Sequence, residues 1–512
     1  MINYKSLTAV AILHFFIQAV LAQDYNLHNV SESKLREHVI FLASDNMYGR
    51  EIGSSELKLA AKYLEDNLKK VKLTSPDSGY LQHFTLHSIQ PDEQNSFLKV
   101  LNTKGKTKRN ITNFIALNQS SPVVDIEGEL VFAGFGLDRQ VQEGNVSTET
   151  EVKGMIVLYS SGSPQSLSAD SNQSWNSSKE RKKMEKLLEA GAKAIIVVTS
   201  VQDTANSAYH HLKNLASRPK FSLDVPRDKE SPKIYIISPE TANKLIGIKI
   251  KWSNTLKNVS ENKSPGSFSI KNNKIYIRSV LKESMVDATN AIGIVEGRDS
   301  LLKNECILFT AHYDHLGTGK KGEIFNGADD NASGVATLLE VAGLFSGLKE
   351  KPRRSILFLF PSAEEAGLFG SDYYTRNPVF PIKNTIACIN LDMVGRVYEE
   401  RDSVLKNKPK KVKDFDGIYA LVNDFNPNLK NITSDACSLI GLSPDFSLPR
   451  QFFYTSDHYH FHKYHVPVLN LSTGYTADYH KPSDKVERIR TDKMERIARL
   501  CFMVGMELGN QE

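Results

Sequence analysis

Cysteine is scarce in this chain. The 512 residues contain four: Cys306, Cys388, Cys437 and Cys501, no two of them close in sequence. That spacing excludes a zinc knuckle or a Cys-x-x-Cys redox pair. Cys306 and Cys388 lie in strand-like apolar runs and read as small buried hydrophobes; a disulfide between some pair of the four stays open. An excess of one charge is missing as well. The formal net charge of +5 is spread over the whole length, too weak to favour nucleic acid or a membrane surface. The densest basic run, KNKPKKVK at Lys406–Lys413, holds a proline within polar sequence and reads as a solvated loop. Past the amino terminus no apolar run is long enough to span a bilayer.

The first residues, MINYKSLTAVAILHFFIQAVLAQDYN, have the layout of a leader. Lys5 precedes a mostly apolar stretch from Leu7 to Leu21, and Val20 and Ala22 satisfy the small-residue cleavage rule. The expectation is a signal peptide over residues 1–22 and an exported protein, periplasmic or extracellular, with no stable membrane span. Asn110, Asn145 and Asn431 each open an Asn-x-Ser/Thr sequon, which matters only in a host that glycosylates.

The length allows roughly two or three domains, and the texture changes along it. Residues 31–73 read as helical. SESKLREHVIFLAS opens with a Ser–Glu capping pattern, and Leu57, Ala61, Leu64 and Leu68 fall on one face of a second helix. From about 120 to 265 short β-like runs such as GELVFAGFGL and VKGMIVLYSS dominate, and RKKMEKLLEAGAKAIIVVTS reads as helix, glycine turn and strand. After residue 285, ECILFTAHYDHLG, SILFLFPSAEE, TIACINLDMVG and VPVLNLSTG are strand-length apolar runs without polar alternation, separated by helices expected at 332–345, 367–376 and 491–507. This order predicts an α/β fold: a mostly parallel mixed sheet sandwiched by helices, with a smaller α/β module inserted. The expected segments are 23–114 for an amino-terminal helical part, 115–265 for the module and 266–512 for the main domain.

Open α/β sheets bind ligands at the carboxyl ends of their strands, and that is where the polar residues of this chain gather. His312 and Asp314 follow one run, Glu364 and Glu365 the next, Asp392 the third, and His480 comes shortly after the fourth. Asp329 and Asp330 stand before an apolar helix, where either could be an N-cap. Each of these residues alone has a plain structural reading: a satisfied histidine, a capping aspartate, a solvated first turn. Together they would crowd several carboxylates at one edge, where they repel unless cations lie among them. Two histidines and three carboxylates suit zinc. Five ligands exceed one catalytic ion and suit two ions sharing a carboxylate, about 3.5–4 Å apart.

In order along the chain, AHYDHLG, NGADDNASG, AEEAGLFGS, NLDMVG and YHKPSD resemble the motif set of the co-catalytic zinc aminopeptidases, a family related to glutamate carboxypeptidase and the transferrin receptor. The resemblance runs over about residues 285–490. It implies a fold of the zinc-dependent exopeptidase type and an enzyme that removes N-terminal residues from peptides with a free amino end, using two Zn²⁺ per chain. It also implies His312, Asp330, Glu365, Asp392 and His480 as metal ligands, with Asp330 bridging because it stands four before Gly334. Glu364 would be the general acid/base and Asp314 would orient the His312 imidazole. A Tyr–x–Ser–Asp–His element in FFYTSDHYHFHKYH makes Tyr454 a possible oxyanion donor. His458, His460, His462 and His465 in the same stretch are surplus to a ligand set that is already complete. The middle module resembles a protease-associated domain, and LASDNMYGREIGS, around Arg50, resembles the start of the family's catalytic part.

The resemblance leaves rivals. A single-zinc glutaminyl cyclase shares several motif positions but cyclises N-terminal Gln. A carboxypeptidase acting on acidic dipeptides would need a cationic pocket. A non-catalytic receptor on the same scaffold would have lost ligands, whereas this chain keeps them all. First-residue preference, oligomeric state and the metal found in the cell are not legible in the sequence.

Overall fold

The computed structural model describes residues 30–77, 79–136, 152–162, 178–199, 207–225, 233–247, 252–260, 268–397 and 416–512. The expected leader, the basic run at 406–413 and Asn145 lie outside these segments. The chain divides into two units: Met1–Leu86 with Val286–Glu512, and His87–Met285. The second unit is wider at both ends than the expected 115–265. The helical reading of the amino-terminal part holds for Glu32–Leu42 and Ser55–Lys70, whereas Leu81–Pro91 and Phe97–Leu101 are strands.

In the first unit the sheet runs in the order Ser443–Asp445, Gly417–Val422, Val468–Ser472, Thr385–Leu391, Cys306–Thr310, Ser355–Phe360 and the 291–295 end of Phe268–Val295. The four central strands are mutually parallel. The Gly417–Val422 and 291–295 segments join antiparallel to their neighbours on either side. Cys306–Thr310 and Ser355–Phe360 are buried at every residue, as their unbroken apolar runs require of strands covered on both faces. Successive side chains point to opposite faces. Ile307, Phe309, Ile356 and Phe358 enter one core, beneath the helices Glu32–Leu42, Gly334–Gly347 and Thr491–Asn510. Cys306, Leu308, Leu357 and Cys388 enter the other, with Phe452 and Phe461. All four cysteines are buried free thiols.

The helices pack close to the sheet where small residues permit it. Gly334 opens its helix so near the strand end that a Cβ there would stand 2.7 Å from the Leu391 carbonyl oxygen. In Thr491–Asn510, Gly505 leaves room for the Phe309 and Phe345 rings. Register puts Thr310 beside Leu359 and Asn390, and Leu391 beside Leu471. The four parallel strands therefore end at one level, and the loops that follow them emerge together.

In the second unit Val123–Phe132, Ile156–Ser160, Ala194–Val198 and Ile234–Ile237 form a parallel run, with Ile115–Leu117 antiparallel at one end. Residues 268–280 are antiparallel at the other end. Alternating residues again feed two cores: Leu158 and Ile196 enter one with Trp252, and Val157, Ile195 and Val197 enter the other with Leu187.

Candidate metal centre

The loops after the parallel strands bring the expected residues together. His312 follows the 306–310 strand by two residues, and its Nε2 stands 3.4 Å from Asp330 Oδ1, 3.6 Å from Asp392 Oδ1 and 3.9 Å from Glu364 Oε2. His480 Nε2 lies 3.2 Å from Asp330 Oδ2 and 3.2 Å from Glu365 Oε2. Asp330 thus faces His312 with one oxygen and His480 with the other. One residue that sequence reasoning missed joins this second group: His315 Nδ1 is 2.8 Å from Glu365 Oε1 and 3.8 Å from Asp330 Oδ2. The third position after His312 in AHYDHLG was the available signal.

The backbone makes this convergence at a local cost. Ala363, Met393 and His480 all have positive φ, at 59°, 59° and 55°, in the left-handed region that non-glycine residues seldom occupy. One precedes Glu364, one follows Asp392 and one is an expected ligand, so the strain sits where side chains must be aimed. Neither Asp329 nor Asp330 caps the helix that follows. Asn331 does so, its Oδ1 accepting from Gly334 N at 3.1 Å. The Asp329 carboxylate accepts from Gly395 N at 2.8 Å and serves the loop.

Asp314 departs from its expected role. Its carboxylate is 3.8 Å from His312 Nδ1, and its backbone carbonyl, at 3.3 Å, is the nearer acceptor. The carboxylate instead receives Glu364 N at 3.1 Å and Glu365 N at 3.3 Å, one on each oxygen. Asp314 therefore orients the two glutamates, and the imidazole is oriented by the main chain. Tyr454 is 62 % exposed, its ring 5.4 Å from that of Tyr459; none of its described contacts reaches the expected ligands. Tyr475 lies nearer, lining one cleft with Asp392, and its phenol is pushed up by burial and by the Asp392, Asp330 and Glu364 carboxylates. The neighbouring histidines disperse. His458 Nε2 meets the Phe452 carbonyl at 3.0 Å, His460 faces Asp372 at 3.3 Å, His462 stacks on Phe453, and His465 meets Phe425 edge-on.

Among the described residues, two clusters have metal-binding geometry: His312, Asp330 and Asp392, and His315, Asp330 and Glu365. Asp330 belongs to both. The donor set suits a hard-to-borderline divalent ion, and the fit shows in one ring nitrogen. His315 Nδ1 stands 2.8 Å from Glu365 Oε1, whereas His315 Nε2 is buried with no hydrogen-bond partner, which is costly unless a cation completes it.

Residues 290–505 match the family described as Peptidase family M28. The match covers less than half of the chain and takes in all five expected ligands. An aminopeptidase from Aneurinibacillus sp. strain AM-1 shares the fold over 95 % of this chain and 96 % of its own, with a TM-score of 0.55 and 20 % identity. A zinc aminopeptidase from Bacillus subtilis does so over 94 % and 96 %, with a TM-score of 0.52 and 20 % identity. Sequence relatives match shorter segments. A "Vacuolar membrane protease" of Lodderomyces elongisporus is 32 % identical over 112 residues, 22 % of this chain and 11 % of that protein. The protein YfbL of Escherichia coli (strain K12) is 26 % identical over 213 residues, 37 % of this chain and 63 % of YfbL. The chain thus covers less than two thirds of the length of either relative.

Within this matched region the protein groups alone set up opposed charge states. Burial works against a charged His312, but Glu364, Asp330 and Asp392 outweigh it and hold its pKa well above the ordinary value. Burial likewise opposes ionisation of Asp330, and the three histidines around it pull it well below the carboxylate range. Glu364 moves the other way: burial raises it, and Glu365, Asp392 and Asp457 add to the rise against His312. Neighbouring glutamates are thereby pushed apart, since Glu365 is lowered by His315 and His480 despite its burial. Such divergence marks carboxyl groups suited to different tasks.

Sequence reasoning also missed the supports behind the ligands. Arg50 is fully buried and donates to the carbonyls of Tyr313, Asn326 and Gly327 at 2.9, 2.8 and 3.0 Å, and to that of Leu42. Asp484, the last residue of YHKPSD, accepts from the backbone N–H groups of both Asp329 and Asp330. Both stood in stretches already singled out, Arg50 in LASDNMYGREIGS and Asp484 in YHKPSD.

Proposed function

We propose that the chain is a zinc-dependent aminopeptidase that removes the first residue from peptides with a free amino end. The carrying observation is that His312, Asp330, Glu365, Asp392 and His480 meet beside a buried second glutamate, Glu364, in the region that matches peptidase family M28. His312, Asp330, Glu365, Asp392 and His480 would hold the zinc, which would supply Lewis acidity and an acidified water. Glu364 accepts the proton of the attacking water and passes it to the leaving amine. Asp314, gripping both glutamate N–H groups, keeps the Glu364 carboxyl in place through that exchange. Tyr475 replaces Tyr454 as the hydroxyl for the developing oxyanion.

Beside Asp392 lies a small, open cleft walled by Met393, Tyr419, Leu448, Phe452 and Tyr475. This cleft takes the first side chain, and its walls favour an apolar one. Asp392 is the only carboxylate among its described lining residues, so a charged side chain would lose hydration there without a dedicated counter-ion. The unit His87–Met285 is read as the protease-associated module. Export is part of the proposal, with the amino-terminal apolar stretch as its support.

The test is release of the first amino acid from aminoacyl amides, each offered with and without an N-acetyl block, together with a zinc count. Cleavage confined to unblocked substrates at two zinc per chain is expected; equal cleavage of blocked substrates would overturn the reading. One zinc per chain with cyclisation of N-terminal Gln would favour a cyclase instead.

A further inference from the structure

The expected ligands sit on separate loops, and a buried ion network behind them ties three of these loops together. Arg396, four residues after Asp392, is 6 % exposed. Its guanidinium NH2 donates to Asp484 Oδ1 at 3.0 Å and to Asp478 Oδ2 at 3.3 Å. Asp484, four residues after His480 and 2 % exposed, turns its other oxygen to the chain that carries Asp330. There Oδ2 accepts from Asp329 N at 2.9 Å and Asp330 N at 3.1 Å, and Asp329 N also reaches Oδ1 at 3.1 Å. Two bonds donated by main-chain N–H groups close the circuit. Ala328 N donates to the Asp484 carbonyl at 3.3 Å, and Gly395 N to Asp329 Oδ1 at 2.8 Å.

The Asp330, Asp392 and His480 segments thus share one arginine and one aspartate as a common anchor. Asp330 is the residue that must be placed most closely, because it faces both clusters. Its side chain is short, so a displacement of its backbone N–H moves both carboxylate oxygens. The charge count matters too. Asp329, Asp478 and Asp484 lie behind a centre already crowded with carboxylates; Arg396 is the buried cation that faces all three, and the more exposed Arg488 adds a pair to Asp478 at 2.9 Å. Replacing one partner leaves a buried charge uncompensated and frees the loops it held.

We propose that Arg396 and Asp484 are positioning residues that set the spacing of Asp330, Asp392 and His480, and through it the affinity of the centre for metal. The inference rests on the reading of these three residues as ligands. Residues behind a ligand shell typically change metal affinity 10–100-fold when replaced.

The experiment measures zinc affinity of the full chain by competition with a chromogenic chelator, and records the visible spectrum of the cobalt-loaded protein. Asp484→Asn and Arg396→Lys are compared with Arg354→Gln as control. Arg354 pairs with Glu305 at 2.6 Å, at the opposite ends of the strands, so its loss removes an arginine about as buried as Arg396 from an ion pair that holds no ligand loop. The expected result is a 10–100-fold weaker zinc affinity in Asp484→Asn and Arg396→Lys, with altered cobalt bands, while Arg354→Gln binds as wild type even if its melting temperature falls. Wild-type affinity, within about twofold, in a folded Asp484→Asn or Arg396→Lys protein would overturn the proposal. If Asp484→Asn fails to fold, Arg396→Lys decides alone. A wild-type chain that binds no zinc would overturn the metal reading itself, an outcome distinct from equal binding by all variants.

Discussion

Replacing Arg50 by Met removes a buried cation that four carbonyl oxygens depend on. Leu42 ends the first helix, Tyr313 lies between His312 and Asp314, and Asn326 and Gly327 lead into Asp329 and Asp330. The guanidinium is therefore a cross-brace between the 32–42 helix and two ligand-bearing loops. A hydrogen bond involving a charged group is worth about 1.5–3 kcal/mol net, so four of them lose at least about 6 kcal/mol before relaxation. Part of this returns because the variant no longer buries an ion. Burial alone pulls the Arg50 pKa down to about 10 against the attraction of Asp314 and Asp330, a sign of how strongly that desolvation opposes it. A net loss of about 3–5 kcal/mol is the expectation, equivalent to roughly 5–15 °C in the melting temperature of a domain of this order. Differential scanning calorimetry of wild type and Arg50→Met measures it, with zinc affinity as the second readout, since the loops that carry His312 and Asp330 lose their brace. Arg50→Lys should recover only part of the loss, because an ammonium cannot span four acceptors in a planar fork. A melting temperature for Arg50→Met within about 2 °C of wild type would refute the reasoning.

Other outcomes follow from the same structure. Glu364→Gln should keep its zinc and lose turnover by about 10²–10⁴-fold, measured with an aminoacyl amide after metal analysis; full activity in the zinc-loaded variant would remove Glu364 from its role. His315→Ala should weaken zinc binding, because it strips one side from the Asp330–Glu365 cluster; chelator competition checks this. His458 is buried and held down to about 4 by that burial, despite its bond to the Phe452 carbonyl. The unfolded chain binds a proton there below about pH 6.5 and the folded chain does not, so stability falls as pH drops from 6.5 towards 4, by roughly 3 kcal/mol in full. Urea unfolding at several pH values should show a shallower fall in His458→Gln. Gly505→Ala places a Cβ 2.8 Å from both the Phe309 and Phe345 ring tips and should cost about 1–3 kcal/mol by overpacking, read as a lowered melting temperature.

The elements that could be read in advance were those governed by short-range pattern. Cys306–Thr310, Ser355–Phe360 and Thr385–Leu391 are apolar without alternation, and a strand of that kind has to be covered on both faces. The placing of His312, Glu365, Asp392 and His480 after such strands was legible for the same reason, since parallel strands in register end at one edge. Asp330 could be told from Asp329 by its distance to Gly334 in the motif. The rest depended on contacts distant in sequence. Tyr454 is a tyrosine at a motif position, yet in the fold it ends a short turn of helix and stands exposed, whereas Tyr475 is half-buried beside Asp392. Asp314 reads as the partner of His312, two residues before it, but its carboxylate stands 3.8 Å from that imidazole and accepts from the Glu364 and Glu365 amides, some fifty residues away.

The chain's own order of residues determined a parallel sheet with acids and imidazoles at its carboxyl edge, because burial dictates which runs become strands and strand polarity dictates where loops emerge. Tertiary structure alone decided which atoms meet. His315 joins the Glu365 cluster, Asp484 holds the Asp330 backbone across more than 150 residues, and Arg396 stands among three aspartates. Pairings of this kind carry no local signature, since they follow from the folded path of the main chain and not from the pattern of neighbouring side chains.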